Sequence, residues 1–414
     1  MTQSTLFTGG RLLDPDAGVL RDGLDVLVTG DRIAAVSSSI DAPSDTTEIA
    51  LGGRTIMPGL IDCHVHVVAE TLDLWSNMTA PSSLAALRSA RVMSEALMRG
   101  FTTLRDLGGA DYGLVRAVNE GLFVGPRLII CGKGLTTTGG HADLRTRTDD
   151  RSGLLSDRVG SMGLIVDGVD NVRAACRTMI KEGANFIKVM ANGGVSSPND
   201  PIHSIQYSRD EILAMVEEAE NAGLYVSAHL YTDKAISRCV DLGVHSLEHC
   251  NLIEQETARL ATEKGCIAVP TLVAYDALAL EGKALGLGAA EFAKIDIVRD
   301  GGLRSLEIMR DAGLPMAFGS DLLGQLRKYH CMEFEILARV LTPAEIIRSA
   351  TTIGAKLCRL EGEAGVLATG AAADLLVVDG DPLSDIGLLQ GDGANMSVIM
   401  ARGLMAKNRL IASR

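Results

Sequence analysis

Hydrophobic and polar positions alternate in two different ways along this chain. In the centre, short apolar runs that end in polar residues are separated by longer amphipathic stretches such as residues 84–100 and 210–223. Buried strands that alternate with amphipathic helices are typical of parallel βα units. Eight such apolar runs occupy residues 59–66, 101–107, 127–135, 186–194, 225–232, 246–250, 267–273 and 316–321. The pattern predicts an α/β fold in which residues 58–357 form a catalytic (β/α)8 TIM barrel.

The two ends of the chain follow a different pattern. Residues 6–56 contain short strand-like runs separated by turn signals, and we expect hairpin corners at Asp22-Gly23 and Gly30-Asp31. Strand-like runs return near the C-terminus. The ends therefore predict one discontinuous β-sandwich domain, built from residues 1–57 and 358–414.

One connection in the central region is unusually long. Residues 135–168 join the third and fourth apolar runs and contain the polar stretch HADLRTRTDDRSG. Long polar connections at the active-site end of a barrel often cover the site. We therefore predict a loop over the active-site mouth.

Composition narrows the class of protein. Hydrophobic residues make up 47% of the chain and charged residues 22%, which is typical of a globular protein. The net charge of -13 disfavours nucleic acid and anionic membranes as partners, because no basic cluster would attract them. We find no secretory signal and no apolar stretch of transmembrane length. The eight cysteines form no CxxC pair, which favours a reducing cytoplasm. We expect a cytoplasmic homo-oligomer that acts on a small molecule.

The first apolar run ends in two histidines of one strand face. His64 and His66 lie two residues apart, so their side chains project from the same face, while Cys63 and Val65 face the other way. An HxH pair on a strand is more often structural than metal-binding. Its position at the end of an apolar run favours a shared metal ion.

A lysine lies inside the fourth apolar run. Lys188 is flanked by Ile187 and Val189, and burying a lysine in a strand is unfavourable unless the amine is paired or modified. An ion-paired lysine is the simpler interpretation. Burial also favours the neutral amine, which can react with carbon dioxide to give a carbamate that bridges two cations.

Three further polar residues end later apolar runs. His229 ends the stretch YVSAH of the fifth run, His249 ends the stretch SLEH of the sixth, and Asp321 closes the run at 316–321. The carboxyl ends of barrel strands form the rim where TIM-barrel active sites assemble. Histidine and carboxylate-like ligands without thiolate suit zinc, and cobalt or manganese as alternatives. The pattern predicts a metal site at this rim.

These blocks together resemble a known family. PGLIDCHVH, the lysine of the fourth run, the two following histidines, GSD and AADLLVVDGDPL are similar to the amidohydrolase superfamily over essentially the whole chain. More narrowly, GFTTLRDLGG, TTGGHAD, IKVMANGGVSSPND, EHCNLI and VPTLVAYDAL resemble the metal-dependent Xaa-Pro dipeptidases (prolidases) and their carboxypeptidase-like relatives. That branch also includes ochratoxin-, carbamate- and urea-hydrolysing members.

The resemblance implies a binuclear centre. Its ligands would be His64, His66, Lys188, His229, His249 and Asp321. The first two histidines with Asp321 would bind the more buried ion, the later two the more exposed ion, and N6-carboxylated Lys188 would bridge them. A hydroxide held between the two ions would attack the scissile carbonyl, with Asp321 as general base. The implied reaction is cleavage of an amide bond in a dipeptide such as Xaa-Pro or in an N-acyl amino acid.

Other residues are candidates for contacts with the substrate. His141 follows the third run and Tyr231 lies two residues after His229, so both are predicted to donate hydrogen bonds to an oxyanion or a substrate carboxylate. Packing is nearly as good an explanation for Tyr231. The remaining candidates for lining the pocket are Val195, Ser197 and Tyr275. Asp106 and Glu248 are candidates for orienting the ligand histidines, with structural ion pairs as the alternative.

Three alternatives stay open. A hydrolase of a xenobiotic amide, carbamate, urea or ochratoxin-type substrate on the same site is the main one. A mononuclear deaminase or cyclic amidohydrolase is disfavoured, because such sites generally lack the bridging lysine. A non-catalytic scaffold is disfavoured because every expected ligand is present.

Overall fold

The structure is a computed structural model that describes residues 4–149, 157–195 and 199–410. The strands are β1 (Ser4–Thr8), β2 (Arg11–Asp14), β3 (Val19–Asp22), β4 (Asp25–Thr29), β5 (Arg32–Ser37), β6 (Thr47–Ala50), β7 (Thr55–Pro58), β8 (Leu60–Val65), β9 (Phe101–Asp106), β10 (Arg127–Ile130), β11 (Gly134–Thr136), β12 (Gly163–Ile165), β13 (Ile187–Met190), β14 (Val226–Thr232), β15 (Ser246–Leu252), β16 (Ile267–Val269), β17 (Leu375–Val378), β18 (Met396–Ala401) and β19 (Leu404–Asn408).

The α-helices are α1 (Leu74–Thr79), α2 (Ser82–Met98), α3 (Tyr112–Asn119), α4 (Val169–Lys181), α5 (Arg209–Asn221), α6 (Asp233–Asp241), α7 (Gln255–Glu263), α8 (Leu272–Glu281), α9 (Ala289–Asp311), α10 (Met332–Leu337), α11 (Pro343–Arg348) and α12 (Gly354–Leu357). Capping boxes begin two of them. Ser208 and Glu211 exchange hydrogen bonds at the start of α5, and Thr342 and Glu345 do so at α11. These contacts satisfy amide groups that a helix leaves unpaired at its N-terminus.

The central strands are parallel and are separated by helices, so the predicted α/β class is confirmed. They form a three-stranded sheet in the order β10-β9-β8 and a six-stranded sheet in the order β12-β11-β13-β14-β15-β16. The strands are buried, with β8, β9 and β13 covered along their whole length. Burial on both faces explains why these runs are almost continuously apolar.

The third apolar run and the connection that follows it differ from the sequence expectation. The third apolar run splits into β10, which pairs with β9, and β11, which pairs with β13, because Gly132 between them has a φ of +71°. The predicted loop over residues 135–168 begins and ends in strands, since β11 pairs with β12 in parallel. Residues 150–156 of that connection lie outside the described ranges.

The eighth apolar run is not a regular strand. Met316 forms an isolated parallel bridge with Ala268. The Phe318 amide donates to Ser349 O, so it is not available for pairing with a neighbouring strand. The same segment still joins the two sheets. Ala317 N donates to Ala268 O (2.9 Å) beside β16, and Cys63 N of β8 donates to Phe318 O (2.8 Å).

The chain ends form two further sheets. The four-stranded sheet has the order β5-β4-β1-β6, and the six-stranded sheet has the order β19-β18-β17-β7-β2-β3, which unites strands from both termini. Gly30-Asp31 joins the antiparallel pair β4 and β5, as expected. Asp22-Gly23 is not a hairpin corner, because β3 pairs with β2 and β4 pairs with β1.

Strand β17 shows how the terminal sheets and the central region pack. All four of its residues are fully buried. Leu375 and Val377 join a hydrophobic cluster with residues of both terminal sheets, whereas Leu376 and Val378 join the large central cluster. Alternate side chains of a strand point to opposite faces, so one strand contributes to two cores. Within the described ranges, no helix combines the length and apolar character needed to cross a bilayer.

Candidate metal centre

Two histidines of β8 and its end converge on one carboxylate. His64 Nε2 lies 3.5 Å and His66 Nε2 lies 3.4 Å from Asp321 Oδ1. These three side chains place one ligand atom each within 4.8 Å of one another. The predicted same-face projection of the HxH pair thus occurs beside the predicted aspartate. Two imidazole nitrogens and a carboxylate oxygen suit a borderline divalent ion.

The remaining two predicted histidines adjoin this group. The ring centroids of His64 and His249 are 4.9 Å apart, and those of His229 and His249 are 4.7 Å apart. All four rings line one cavity, together with Lys188 and Asp321. The structure therefore brings the six predicted ligands together.

One ring nitrogen of each histidine is already held by a protein oxygen. The pairs are His64 Nδ1 with Glu248 Oε2 (2.8 Å), His66 Nδ1 with Gly108 O (3.1 Å), His229 Nε2 with Gly193 O (3.3 Å) and His249 Nδ1 with Thr271 Oγ1 (2.7 Å). A metal-binding histidine commonly has its second nitrogen fixed in this way, which sets the ring orientation. The other nitrogen of each ring remains for a ligand.

Two of the predicted ligands adopt a left-handed backbone. His249 has a φ of +74° and Asp321 a φ of +50°. Such conformations cost of order 1–3 kcal/mol per residue and concentrate at functional sites. At His249 the conformation has a visible effect, because regular alternation along β15 would direct His249 away from the side occupied by Glu248. Both side chains nevertheless contact His64.

Lys188 is buried without a polar partner. Its neighbours Ile187 and Val189 join the central hydrophobic cluster, and Lys188 itself is 1% exposed. Among the described residues, no side chain or backbone atom forms a hydrogen bond with its Nζ. Burial lowers the pKa of Lys188 to about 8. An amine in this setting loses much of its preference for the charged form.

The charge states suit cation binding. Burial lowers the pKa of His64 and holds those of His229 and His249 well below the ordinary value, so these rings stay neutral. Although burial opposes its charge, Asp321 has a lowered pKa because of the facing His64 and His66. Neutral imidazoles and an ionised carboxylate are the forms that bind metals.

A buried ionic network supports His64. Glu248 accepts hydrogen bonds from Ser227 Oγ (2.7 Å), Ser246 Oγ (2.5 Å) and Arg105 Nη1 (3.2 Å), besides its contact with His64. Glu248 thus orients a candidate ligand, as predicted. Sequence reasoning missed Arg105, although an arginine within the apolar run FTTLRDL signals a buried ion pair.

Asp106 does not contact a histidine ring, which corrects the expectation for this residue. Its carboxylate accepts hydrogen bonds from the amides of Val67 (2.7 Å), Gly108 (3.0 Å) and Ala110 (3.1 Å). It fixes the backbone that presents His66 Nδ1 with the Gly108 carbonyl. The reason is geometric, since Asp106 ends β9 and the chain turns immediately after it.

A second buried carboxylate braces the same region and was also missed. Asp62 Oδ1 accepts hydrogen bonds from the amides of His64 (2.9 Å) and Ser320 (3.2 Å). It therefore links the backbone of His64 to that of the residue before Asp321. Its Oδ2 contacts His330 Nε2 (2.7 Å). The signal was Asp62 in PGLIDCHVH, two residues before His64.

The predicted substrate contacts separate into two groups. His141 lines the metal-site cavity, stacks on His229 at 4.2 Å and lies 3.5 Å from Asp200 Oδ2. Tyr231 and Tyr275 are buried in an apolar cluster with Val195, and the Tyr275 hydroxyl donates to the Tyr231 hydroxyl at 3.1 Å. The Tyr231 ring contacts those of His229 (4.7 Å) and His249 (5.2 Å), yet these three side chains are absent from the described lining of the cavity. Ser197 lies outside the described residues.

Comparison with known proteins identifies the family. The model of the amidohydrolase family matches residues 55–403. The chain belongs to the amidohydrolase family. It is 32% identical to ochratoxinase from Aspergillus niger over 404 residues, covering 93% of this chain and 83% of that protein.

Solved amidohydrolase structures give the same result. A prolidase in complex with N-methylphosphonate-L-proline is 46% identical, with a TM-score of 0.96 over 98% of this chain and 100% of that chain. A crystal structure described as an amidohydrolase is 47% identical, with a TM-score of 0.95 and the same coverage. The chain is thus an amidohydrolase-family hydrolase whose relatives include prolidase and ochratoxinase, the branch that the sequence motifs resemble.

Proposed function

We propose that this protein is a binuclear metal-dependent hydrolase that cleaves the amide bond of a dipeptide such as Xaa-Pro or of an N-acyl amino acid. The observation that carries the proposal is the convergence of His64 Nε2 and His66 Nε2 on Asp321 Oδ1. The amine of Lys188 is buried in the same cavity and has no hydrogen-bond partner in the described part of the chain, which supports a second ion.

The donor set fits two divalent ions. His64 and His66 with Asp321 would hold one ion, and His229 and His249 the other, with zinc favoured over cobalt and manganese. Carboxylation of Lys188 would replace a buried cation, unfavourable beside two metals, with an anionic bridge. Bound ions of this kind lower the pKa of water and polarise a carbonyl oxygen.

The chain's own residues would handle the proton and the substrate. Asp321, kept ionised by the facing histidines, would accept a proton from the attacking water and deliver it to the leaving nitrogen. His141 lines the cavity and would bind the substrate carboxylate. Tyr231 would donate a hydrogen bond to an oxyanion or a substrate carboxylate, because Tyr275 donates to its oxygen and leaves its own hydroxyl proton available.

The substrate class rests on the relatives. At 46% identity the prolidase with a bound proline phosphonate favours a proline-containing dipeptide. The 32% identity with ochratoxinase supports the alternative, an ochratoxin-type or other xenobiotic amide, carbamate or urea on the same site. Both interpretations share the metal centre, and a neutral carbamate or urea differs from a dipeptide in lacking a free carboxylate.

A matched substrate pair separates the two. We would assay zinc-, cobalt- and manganese-loaded enzyme with Xaa-Pro dipeptides, N-acyl amino acids, ochratoxin, and the C-terminal amides of the same dipeptides. Loss of the carboxylate should lower kcat/KM by roughly 100-fold, because it misplaces the scissile carbonyl. If dipeptide amides or neutral carbamates are cut as well as free dipeptides, the peptidase proposal is wrong and the xenobiotic alternative replaces it.

The finer architecture belongs to the same proposal. We assign residues 58–357 to a (β/α)8 barrel, supported by the hydrogen bonds of residues 316–321 to strands on both sides. We assign residues 1–57 and 358–414 to a β-sandwich, supported by the hydrophobic cluster that both terminal sheets share. A homo-oligomer in the cytoplasm stays a prediction from sequence, as does the absence of nucleic-acid and membrane partners.

A further inference from the structure

A second cavity adjoins the metal-site cavity. It lies between α1, residues 142–145 and residues 160–165. The two cavities share four lining residues, namely Leu74, Ala142, Leu144 and Met162. A group bound in the second cavity would therefore lie next to a molecule bound at the metal centre.

The walls of this cavity are largely apolar. Helix α1 contributes Leu74, Trp75 and Met78, and β12 contributes Leu164 and Ile165. Trp75 is 36% exposed, and Leu164 and Ile165 are only partly buried. Apolar side chains left partly open around a concavity favour an apolar ligand, because binding would remove their surface from water.

The charged residues of the lining neutralise one another. Arg145 donates to Asp143 through Nε (2.9 Å) and Nη2 (2.8 Å). Asp143 also accepts hydrogen bonds from the amides of Gly139 (2.8 Å) and Arg145 (3.1 Å). A carboxylate or ammonium group in this cavity would find its counter-ion already engaged, so a charged substituent is disfavoured there.

The cavity wall is preformed. A side chain at Gly160 would place its Cβ only 1.9 Å from Asn77 O, so the glycine permits the 160–165 segment to pack directly on α1. Asn77 is itself fixed, since its side chain donates to Thr71 O (2.7 Å) and accepts from Thr71 N (3.1 Å). Little ordering would be needed on binding, which favours affinity.

We propose that this cavity is a subsite for a large apolar side chain on the acyl side of the scissile amide. The inference rests on the proposed function. The acyl side is favoured because the leaving amino acid carries the carboxylate, which needs hydrogen-bond donors such as His141. His141 lines the metal-site cavity and is absent from the described lining of the apolar one.

Phosphonate ligands test the subsite by binding alone. N-Methylphosphonate-L-proline carries a methyl group where the acyl chain of a dipeptide would be, and a benzyl analogue extends that group. Calorimetry on zinc-loaded enzyme should give the benzyl analogue roughly tenfold or more tighter binding, since apolar groups in such pockets discriminate by about that factor. Kinetics should show the same preference for Phe-Pro over Ala-Pro.

Variants assign the preference to the cavity. Trp75→Ala should reduce the benzyl-to-methyl ratio to roughly threefold or less with little change for the methyl ligand. Ile165→Thr, which shortens the side chain and puts a hydroxyl in place of a methylene, should move the ratio in the same direction. Leu84→Ala is the control, because Leu84 on α2 is 39% exposed and does not line the cavity.

The outcomes separate the subsite from the function. Equal binding of both phosphonates by the wild-type enzyme, or an unchanged ratio in both cavity variants, overturns the subsite while the hydrolase proposal stands. A preference that follows the leaving amino acid instead of the acyl group also overturns it. If neither phosphonate binds and neither dipeptide is hydrolysed, the proposed function fails and the subsite with it.

Discussion

Replacement of Glu248 by glutamine removes one charge from the buried network beneath the metal centre. Glu248 is fully buried and contacts His64, Arg105, Ser227 and Ser246. Glutamine has nearly the same volume, so the substitution opens no cavity. The substitution removes the negative charge that compensates Arg105, whose side chain is 0% exposed.

The expected cost follows from that burial. Removing one partner of a buried ion pair leaves an uncompensated charge and typically costs about 3–5 kcal/mol. Glu248→Gln should lower the free energy of unfolding by about that amount. It should also weaken zinc binding by roughly 10- to 100-fold, because an amide cannot orient His64 as the carboxylate does.

Guanidinium unfolding of chelator-treated protein measures the first effect without a contribution from bound metal. The control is Glu120→Gln, because Glu120 pairs with Arg116 on the surface and its loss should leave the midpoint nearly unchanged. A loss below about 1 kcal/mol for Glu248→Gln, with unchanged zinc affinity, would refute the reasoning.

The same network predicts the direction of the pH dependence. Although burial opposes its charge, Arg105 and His64 hold the pKa of Glu248 well below its ordinary value. A group with a depressed folded-state pKa contributes stability above its unfolded pKa, about 4.3, and that contribution is lost as the pH falls. Wild-type stability should therefore decline on acidification below about pH 5, and the decline should be smaller in Glu248→Gln.

The remaining predictions concern the metal ligands. Lys188→Ala should lose most hydrolytic activity and regain part of it with short carboxylic acids, whereas full activity without them would exclude the bridge. Thr271→Val removes the hydrogen bond to His249 and should weaken zinc binding by roughly 10- to 100-fold in a competition titration. Thr262→Val, which loses hydrogen bonds to Ala258 O and Ala312 O but none to a candidate ligand, should not. Although burial favours its neutral ring, His66 has a raised pKa because of the facing carboxylate, so zinc affinity should fall as the pH is lowered through that pKa. A zinc affinity independent of pH between 5 and 8 would contradict this.

Much of the fold follows from local patterns. The α/β class and seven of the eight central strand positions follow from apolar runs that are buried on both faces. The eighth run fails as a regular strand because its backbone hydrogen bonds are divided among Ala268, Cys63, His64 and Ser349. Strands β11 and β12 are short, and the connection between them is largely polar, so hydrophobic periodicity does not reveal them.

The site was predictable where spacing alone decides the geometry. His64 and His66 share a face because they are two apart on a strand. The position of His249 was not predictable from spacing, because its left-handed backbone breaks the alternation of β15. The contact between Asp62 and His330 was not predictable from spacing either, because it joins residues 268 positions apart.

The central claim is that six side chains bind two divalent ions. Diffraction from zinc-loaded crystals, recorded on both sides of the zinc absorption edge, tests it directly. The account predicts two anomalous peaks per chain, one at His64 and His66 and one at His229 and His249, with density for a carboxylated Lys188 between them. A single peak that leaves His64 and His66 without a ligand, or an unmodified lysine beside two fully occupied ions, would contradict it.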